Sequence, residues 1–307
     1  MQWDFDYLVP TVTPWREDGT LDEAALRREV QMQLDAGLRD LYIFGTAGEG
    51  YAVSDSQFHE VTRVFVDAVR AGGEEPMVGV ISLATTTMIE RIETCQTMGV
   101  RRFQIAMPSW AALQDDEIDP FFEEILGSFR DLEFLHYNVA RAKRQLTGPE
   151  YGRLSRRHPN LVATKQSTDS MRQIAASIEA APNIRHYFVD GGYAYGQLLG
   201  DCGLLTSLSL ANPDRMRDFV EAGKRRDVDA LIRIQQELRK LTEGLLEVTP
   251  GVSRIDGAYD KIVWKMHDPH FPTRLLPPYQ ALPEGASERY RAWIDEHLPA
   301  WSPGAGA

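Results

Sequence analysis

Lys165 directly follows the apolar run Leu161-Val162-Ala163-Thr164. A strand there would deliver its amine to the end of a sheet, with the aliphatic stem walled by core. Desolvation at such a place disfavours an ammonium, and a free amine is what attack on a carbonyl requires. On position alone, a lysine that leaves the strand and snorkels to solvent fits equally well. Tyr137 closes an earlier apolar run and lies 28 residues before the lysine. A phenol so placed can pass protons to a carbinolamine and to a leaving or attacking oxygen. A core tyrosine with a satisfied hydroxyl would look the same in sequence. Residues 45–50 read Gly-Thr-Ala-Gly-Glu-Gly, a turn whose amides, with the Thr46 hydroxyl, can form a nest for a carboxylate. A plain tight turn is the simpler account of those glycines, and Glu49 could cap the next segment as readily as do chemistry.

These residues need elements to position them. Short β-branched or apolar runs at 7–12, 41–44, 77–81, 103–106, 134–137, 161–164, 186–189 and 204–208 predict eight strands. Amphipathic segments at 22–36, 54–71, 87–98, 118–128, 148–157, 170–179 and 193–199 predict helices between them. Asp22 stands at an N-cap position before Ala25, Leu26, Val30 and Leu34, and Gly37 follows where a C-terminal glycine belongs. Gly99 closes the third helix in the same way. Strands separated by helices imply crossovers and a parallel sheet, and eight of them fit a closed (β/α)8 barrel. No Gly-x-Gly-x-x-Gly follows the first strand, which weakens a dinucleotide-binding fold. After about residue 210 only helical patterns follow, at 213–222, 227–246 and 259–266. The expected organisation is therefore a catalytic barrel over 1–212 and a helical extension over 213–307. The proline-rich stretch 275–285 reads as irregular, and 302–307 as frayed.

The chain has 307 residues, 43% hydrophobic and 25% charged, with a formal net charge of −12. That balance is ordinary for a globular protein, and the negative field disfavours nucleic acid as a partner. Cys95 and Cys202 lie far apart and match no metal spacing, so they read as buried thiols in a reducing compartment. His267 and His270 have a spacing known from metal sites, but Pro269 denies them a helical face, and no metal is expected. The opening Met-Gln-Trp-Asp-Phe-Asp lacks the pattern of a signal peptide, and no apolar run reaches the roughly 18 residues of a membrane span. A cytoplasmic protein without membrane contact is expected.

Taken in order, Gly45-Thr46-x-Gly48-Glu49, Tyr137-Asn138 and Lys165 resemble the dihydrodipicolinate synthase/N-acetylneuraminate lyase family, over roughly residues 7–280. Asp190-Gly191 and 203–213 are similar to the family's seventh and eighth strand ends. The resemblance implies a class I lyase without cofactor, in which Lys165 forms an imine with a pyruvate-like 2-oxo acid. It implies Tyr137 as proton relay and Thr46 with the Ala47 amide as carboxylate site. Gly45, Asn138, Trp110, Ser167 and Leu205 complete the expected substrate site, and a homotetramer built as a dimer of dimers is implied. The sequence departs from the synthase at three positions. Ala47 replaces the second threonine of the usual pair, and Trp110 replaces a relay tyrosine, although indole has only an N–H donor. Ala142 replaces an arginine that grips a second carboxylate, with Arg141 and Lys143 beside it. These departures favour a pyruvate-dependent aldolase or hydratase-aldolase acting on an aldehyde without a strongly held second carboxylate. Pro108-x-Trp110 and Leu276-Pro277-Pro278-Tyr279 are similar to hydroxybenzylidenepyruvate hydratase-aldolases, with Trp110 as an apolar wall. Two alternatives stay open. One is a 2-keto-3-deoxy sugar acid dehydratase or aldolase using Ser167 and the basic stretch 141–144. The other is a non-catalytic 2-oxo acid binder.

Overall fold

Eight parallel strands close into a barrel in sequence order in the computed structural model, which describes residue 3 and residues 6–303. The strands are β1 (Tyr7–Pro10), β2 (Asp40–Ile43), β3 (Met77–Gly79), β4 (Arg102–Ile105), β5 (Glu133–Asn138), β6 (Leu161–Gln166), β7 (Arg185–Phe188) and β8 (Gly203–Leu205). Helices follow each in turn: α1 (Glu23–Asp35), α2 (Asp55–Ala71), α3 (Thr85–Thr97), α4 (Asp115–Leu126), α5 (Gly148–Arg157), α6 (Met171–Ala180), α7 (Asp190–Leu199) and α8 (Pro213–Arg225). Three more, α9 (Val228–Glu247), α10 (Asp256–Lys265) and α11 (Ala286–His297), form the C-terminal region. The fold is a (β/α)8 barrel with a C-terminal helical region, as the alternation of patterns predicts.

Local chemistry explains the boundaries. Asp22 accepts a hydrogen bond from the Ala25 amide at 3.1 Å, and Ser54 and Thr147 form capping boxes with Gln57 and Glu150. Each satisfies amides that the first helical turn leaves without partners. Gly37 and Gly99 adopt positive φ just past their helices, as expected.

Two hydrophobic layers result. One lies between strands and helices, and the other fills the barrel with Leu8, Tyr42, Met77, Leu135, Val162, Ala163, Tyr187 and Leu205. Trp3 belongs to the inner cluster, and its indole N–H donates to Glu133 at 2.9 Å.

Three expectations need amendment. β6 continues through Lys165 and Gln166 rather than ending at Thr164, because both pair in register with β5 and β7. β8 stops at Leu205, and Ser207–Leu210 is a 3₁₀ turn started by the Thr206 hydroxyl, which accepts from the Leu208 amide. The helix α11 was absent from the sequence reading; Ala286, Tyr290 and Ile294 form its buried stripe. The expected fraying at 302–307 falls largely on 304–307, which lie outside the described residues. Trp301 just before is fully buried.

Candidate active site

Barrel register places the chemistry. Tyr137 on β5, Lys165 on β6 and Tyr187 on β7 stand in one row across three strands. In the row before, His136, Thr164 and His186 face the helices: Thr164 bonds the His186 ring at 2.9 Å, and His136 bonds the Tyr151 hydroxyl of α5 at 2.7 Å. Because strand side chains alternate, Tyr137 and Lys165 must then point into the barrel. A register shift in the β5–β6 pairing, where Phe134 meets Leu161 and Leu135 meets Ala163, sets that phase. Burial lowers His136 to about 3 and His186 to about 4, so both are neutral structural groups.

The Lys165 amine lies 3.5 Å from the Tyr137 hydroxyl, 2.7 Å from the Ser167 hydroxyl and 4.5 Å from the centre of the Tyr137 ring. The Tyr137 hydroxyl is 3.1 Å from the Thr46 hydroxyl. Lys165, Tyr137 and Thr46 are each at most 6% exposed. A continuous hydrogen-bonded path therefore runs from Ser167 through the amine and the phenol to Thr46. An amine with a phenol at hand can add to a carbonyl and exchange protons with the oxygen it displaces.

Thr46 sits where it does because of a tight turn. Phe44 takes a left-handed conformation, φ 64°, at the end of β2, a conformation that costs about 1–3 kcal/mol in a non-glycine residue. Its burial and its ring stacked 5.0 Å from Phe58 hold it there. A Cβ at Gly50 would come within 2.4 Å of the Phe44 carbonyl oxygen, so only glycine lets the turn close.

Thr46, Ala47, Tyr137, Lys165, Ser167 and Leu205 all line one cavity of about 360 Å³. Trp110, 83% exposed, lines a neighbouring cavity of about 540 Å³ with Tyr51, Leu83, Met107 and Tyr279. Thr46 and Tyr137 line both. Two expected site residues line neither. Gly45 makes room for the Tyr42 ring, which a Cβ would approach to 2.7 Å, and the Asn138 amide braces the backbone of Leu146 at 2.9 and 2.8 Å. Each supports the strand end on which a neighbour acts.

The basic stretch is already engaged. Arg141 makes two hydrogen bonds to Asp256, at 3.1 and 2.7 Å, Lys143 donates to the Trp110 carbonyl, and Arg144 pairs with Asp115 and Glu150. Ala142 is buried between them in sequence. Glu49 neither caps a helix nor faces the cavity; it is fully buried in an ion pair with Lys261 of α10. Cys95 and Cys202 are buried free thiols, both pushed up to about 12 by burial. His267 contacts the Leu210 carbonyl, and among the described residues no three His, Cys, Asp or Glu side chains are grouped to hold a metal ion. No helix among them is long and apolar enough to cross a membrane.

Sequence reasoning missed the far wall of the catalytic cavity. Asp190, Ser207, Thr242, Asp256, Tyr259 and Asp260 line it. Burial raises both Asp190 and Asp260, the latter to about 7. Asp190 was visible only as part of a strand-end motif, and nothing local marks residues on α9 and α10 as cavity walls.

Comparisons with known proteins bear on the fold and the family. A 4-hydroxy-tetrahydrodipicolinate synthase of Ralstonia nicotianae is 28% identical over 242 residues, 78% of this chain and 81% of its own. The synthase of Phocaeicola vulgatus is 25% identical over 273 residues, 87% and 91% of the two chains. Among solved structures, an E. coli K12 prophage protein of the dihydrodipicolinic acid synthase family, in complex with pyruvate, superposes with a TM-score of 0.85. It is 19% identical, with 95% and 98% of the chains covered. A Ruminococcus gnavus sialic acid aldolase gives a TM-score of 0.84 at 16% identity, with 96% and 97% covered. With residues 6–294 matching the family model, the chain belongs to the dihydrodipicolinate synthetase family, whose enzymes are lyases of the class I pyruvate aldolase type.

Proposed function

We propose that this protein is a Schiff-base-forming pyruvate lyase, an aldolase or hydratase-aldolase whose aldehyde lacks a strongly held second carboxylate. The observation that carries it is the buried Lys165–Tyr137–Thr46 path, with 3.5 and 3.1 Å separations. The Lys165 amine adds to the 2-oxo carbon, and loss of water through Tyr137 leaves an iminium. Tyr137 then removes the proton of the C4 hydroxyl. The C3–C4 bond breaks, its electron pair enters the iminium to form an enamine, and the aldehyde leaves. Protonation at C3 and hydrolysis of the imine release pyruvate. Thr46 and the Ala47 amide hold the carboxylate throughout.

The larger cavity suits the aldehyde. Its walls are aromatic and aliphatic, and it meets the catalytic cavity at the relay. Its two cations are occupied: Arg141 by Asp256, and Arg91 by the carbonyls of Ile81 and Val53 and by Asp55. A second carboxylate would have to displace these partners. An acceptor screen with pyruvate tests the reading: aromatic or aliphatic aldehydes should turn over and aspartate semialdehyde should not. The opposite preference would sink it. The exposed Trp110 and Leu83 would be covered by a second copy in a homotetramer, and sedimentation as a monomer would remove that part.

A 2-keto-3-deoxy sugar acid dehydratase is the second reading, favoured by the polar far wall of Asp190, Ser207, Thr242 and Asp260. Loss of water without release of pyruvate would identify it.

A further inference from the structure

The turn that would hold the substrate carboxylate lacks one hydroxyl, because Ala47 stands where a second threonine is usual. A second phenol lies beside it. Tyr42 on β2 pairs with Pro10 and Met77, belongs to the cluster that fills the barrel and is 2% exposed. It lines the catalytic cavity together with Thr46, Ala47, Tyr137 and Lys165. Its ring folds against Gly45, where a Cβ would stand 2.7 Å from the ring edge and 3.0 Å from the hydroxyl oxygen. The phenol therefore reaches the residue that opens the turn, and glycine is what admits it there. Among the described residues nothing hydrogen-bonds the Tyr42 hydroxyl, and it is not one of the side-chain oxygens sealed from solvent. It is open to the cavity. A buried donor without a partner of its own is placed for an acceptor that arrives with the substrate.

We propose that Tyr42 is a carboxylate-binding residue, whose hydroxyl donates to the 2-oxo acid in place of the hydroxyl absent at Ala47. A carboxylate offers about four lone-pair sites, and Thr46 with the Ala47 amide would fill only some of them. A hydroxyl that donates to an anion makes a shorter and stronger bond than one between neutral groups. Burial, and after it the Tyr137 phenol, raise Tyr42 well above its ordinary value. The phenol therefore keeps its proton and acts as a donor, whereas Tyr137, in contact with both Thr46 and Lys165, is the group that can pass protons on. The two tyrosines divide the work: one holds the acid, the other serves the reacting carbonyl. The inference rests on the pyruvate-lyase reading above.

The test follows the initial rate of borohydride trapping on Lys165 against pyruvate concentration, in the full-length wild type and in Tyr42→Phe, which removes only the hydroxyl. Half-saturating pyruvate should rise about tenfold or more, the loss expected for one hydrogen bond to a charged group. The saturating rate should stay within about threefold, since the amine and the Tyr137 relay are untouched. Tm should be unchanged or higher, because the hydroxyl has no protein partner to lose. Half-saturation within about twofold of the wild type overturns the inference and leaves the lyase intact. So does a saturating rate that falls as steeply as half-saturation rises. A variant that loses stability or fails to fold overturns it too, since the hydroxyl would then be serving the protein rather than the substrate. Absence of trapping in the wild type overturns the lyase reading instead.

Discussion

Replacing Lys261 by methionine should destabilise the protein far more than the loss of one ion pair in water would. Both side chains of the Lys261–Glu49 pair are fully buried. Lys261 also donates to the Arg274 carbonyl at 2.5 Å, while Glu49 accepts from Trp15 at 3.1 Å, Thr13 at 3.3 Å and the Leu276 amide at 2.8 Å. Burial lowers Lys261, and Glu49 opposes that shift. Methionine fills the volume but strands a carboxylate among neutral donors, which costs about 3–5 kcal/mol. A chain of this length unfolds with an entropy near 0.6 kcal/mol per degree, so Tm should fall by about 5–8 °C. Lys261→Met combined with Glu49→Gln removes the stranded charge and should recover most of the loss. Scanning calorimetry with urea titration of the wild type, Lys261→Met, Glu49→Gln and the double variant measures both effects. A single-variant loss below about 1 kcal/mol, or a double variant as unstable as the sum of the singles, would refute the reasoning. Because Glu49 lies three residues beyond Thr46, the same variant should loosen the carboxylate site.

Tyr137→Phe should lower kcat by about 10²–10⁴-fold while pyruvate is still trapped on Lys165, since the phenol moves protons and the amine forms the bond; retention of activity within threefold would contradict the relay. Asp260→Asn should stabilise the protein increasingly as pH rises from about 4 to 7. The native carboxyl holds its proton to about 7 whereas the unfolded one loses it near 4, so wild-type stability falls across that window and levels above it. The groups facing it are Asp256, which adds to the raise, and Lys261, which opposes it. The gain should be on the order of 4 kcal/mol at pH 8, read from urea titrations at several pH values; a pH-independent difference would count against the burial argument.

The barrel was legible because the strands are short, largely apolar runs and α1, α2, α4 and α5 each carry a cap. Lys165 and Tyr137 were legible as a pair only through the family resemblance, and the β5–β6 register then sets them side by side. What stayed hidden depends on contacts distant in sequence. Glu49 reads locally as a turn residue, and only its partner on α10 reveals it as one half of a buried ion pair. Arg141 looked available for substrate until Asp256, more than a hundred residues on, occupied it. The cavity wall formed by Thr242, Asp256 and Asp260 has no local signature, since it exists only once α9 and α10 pack over the barrel mouth. The α11 stripe of Ala286, Tyr290 and Ile294 was present in the sequence but overshadowed by the prolines before it.

The central claim is that Lys165 bonds covalently to pyruvate. Incubation with pyruvate and borohydride, followed by intact mass measurement and peptide mapping, tests it with Lys165→Ala as control. The account predicts a pyruvate-sized adduct located on Lys165 and absent from the variant. A wild-type protein that gains no mass, with pyruvate or with longer 2-oxo acids, would contradict it.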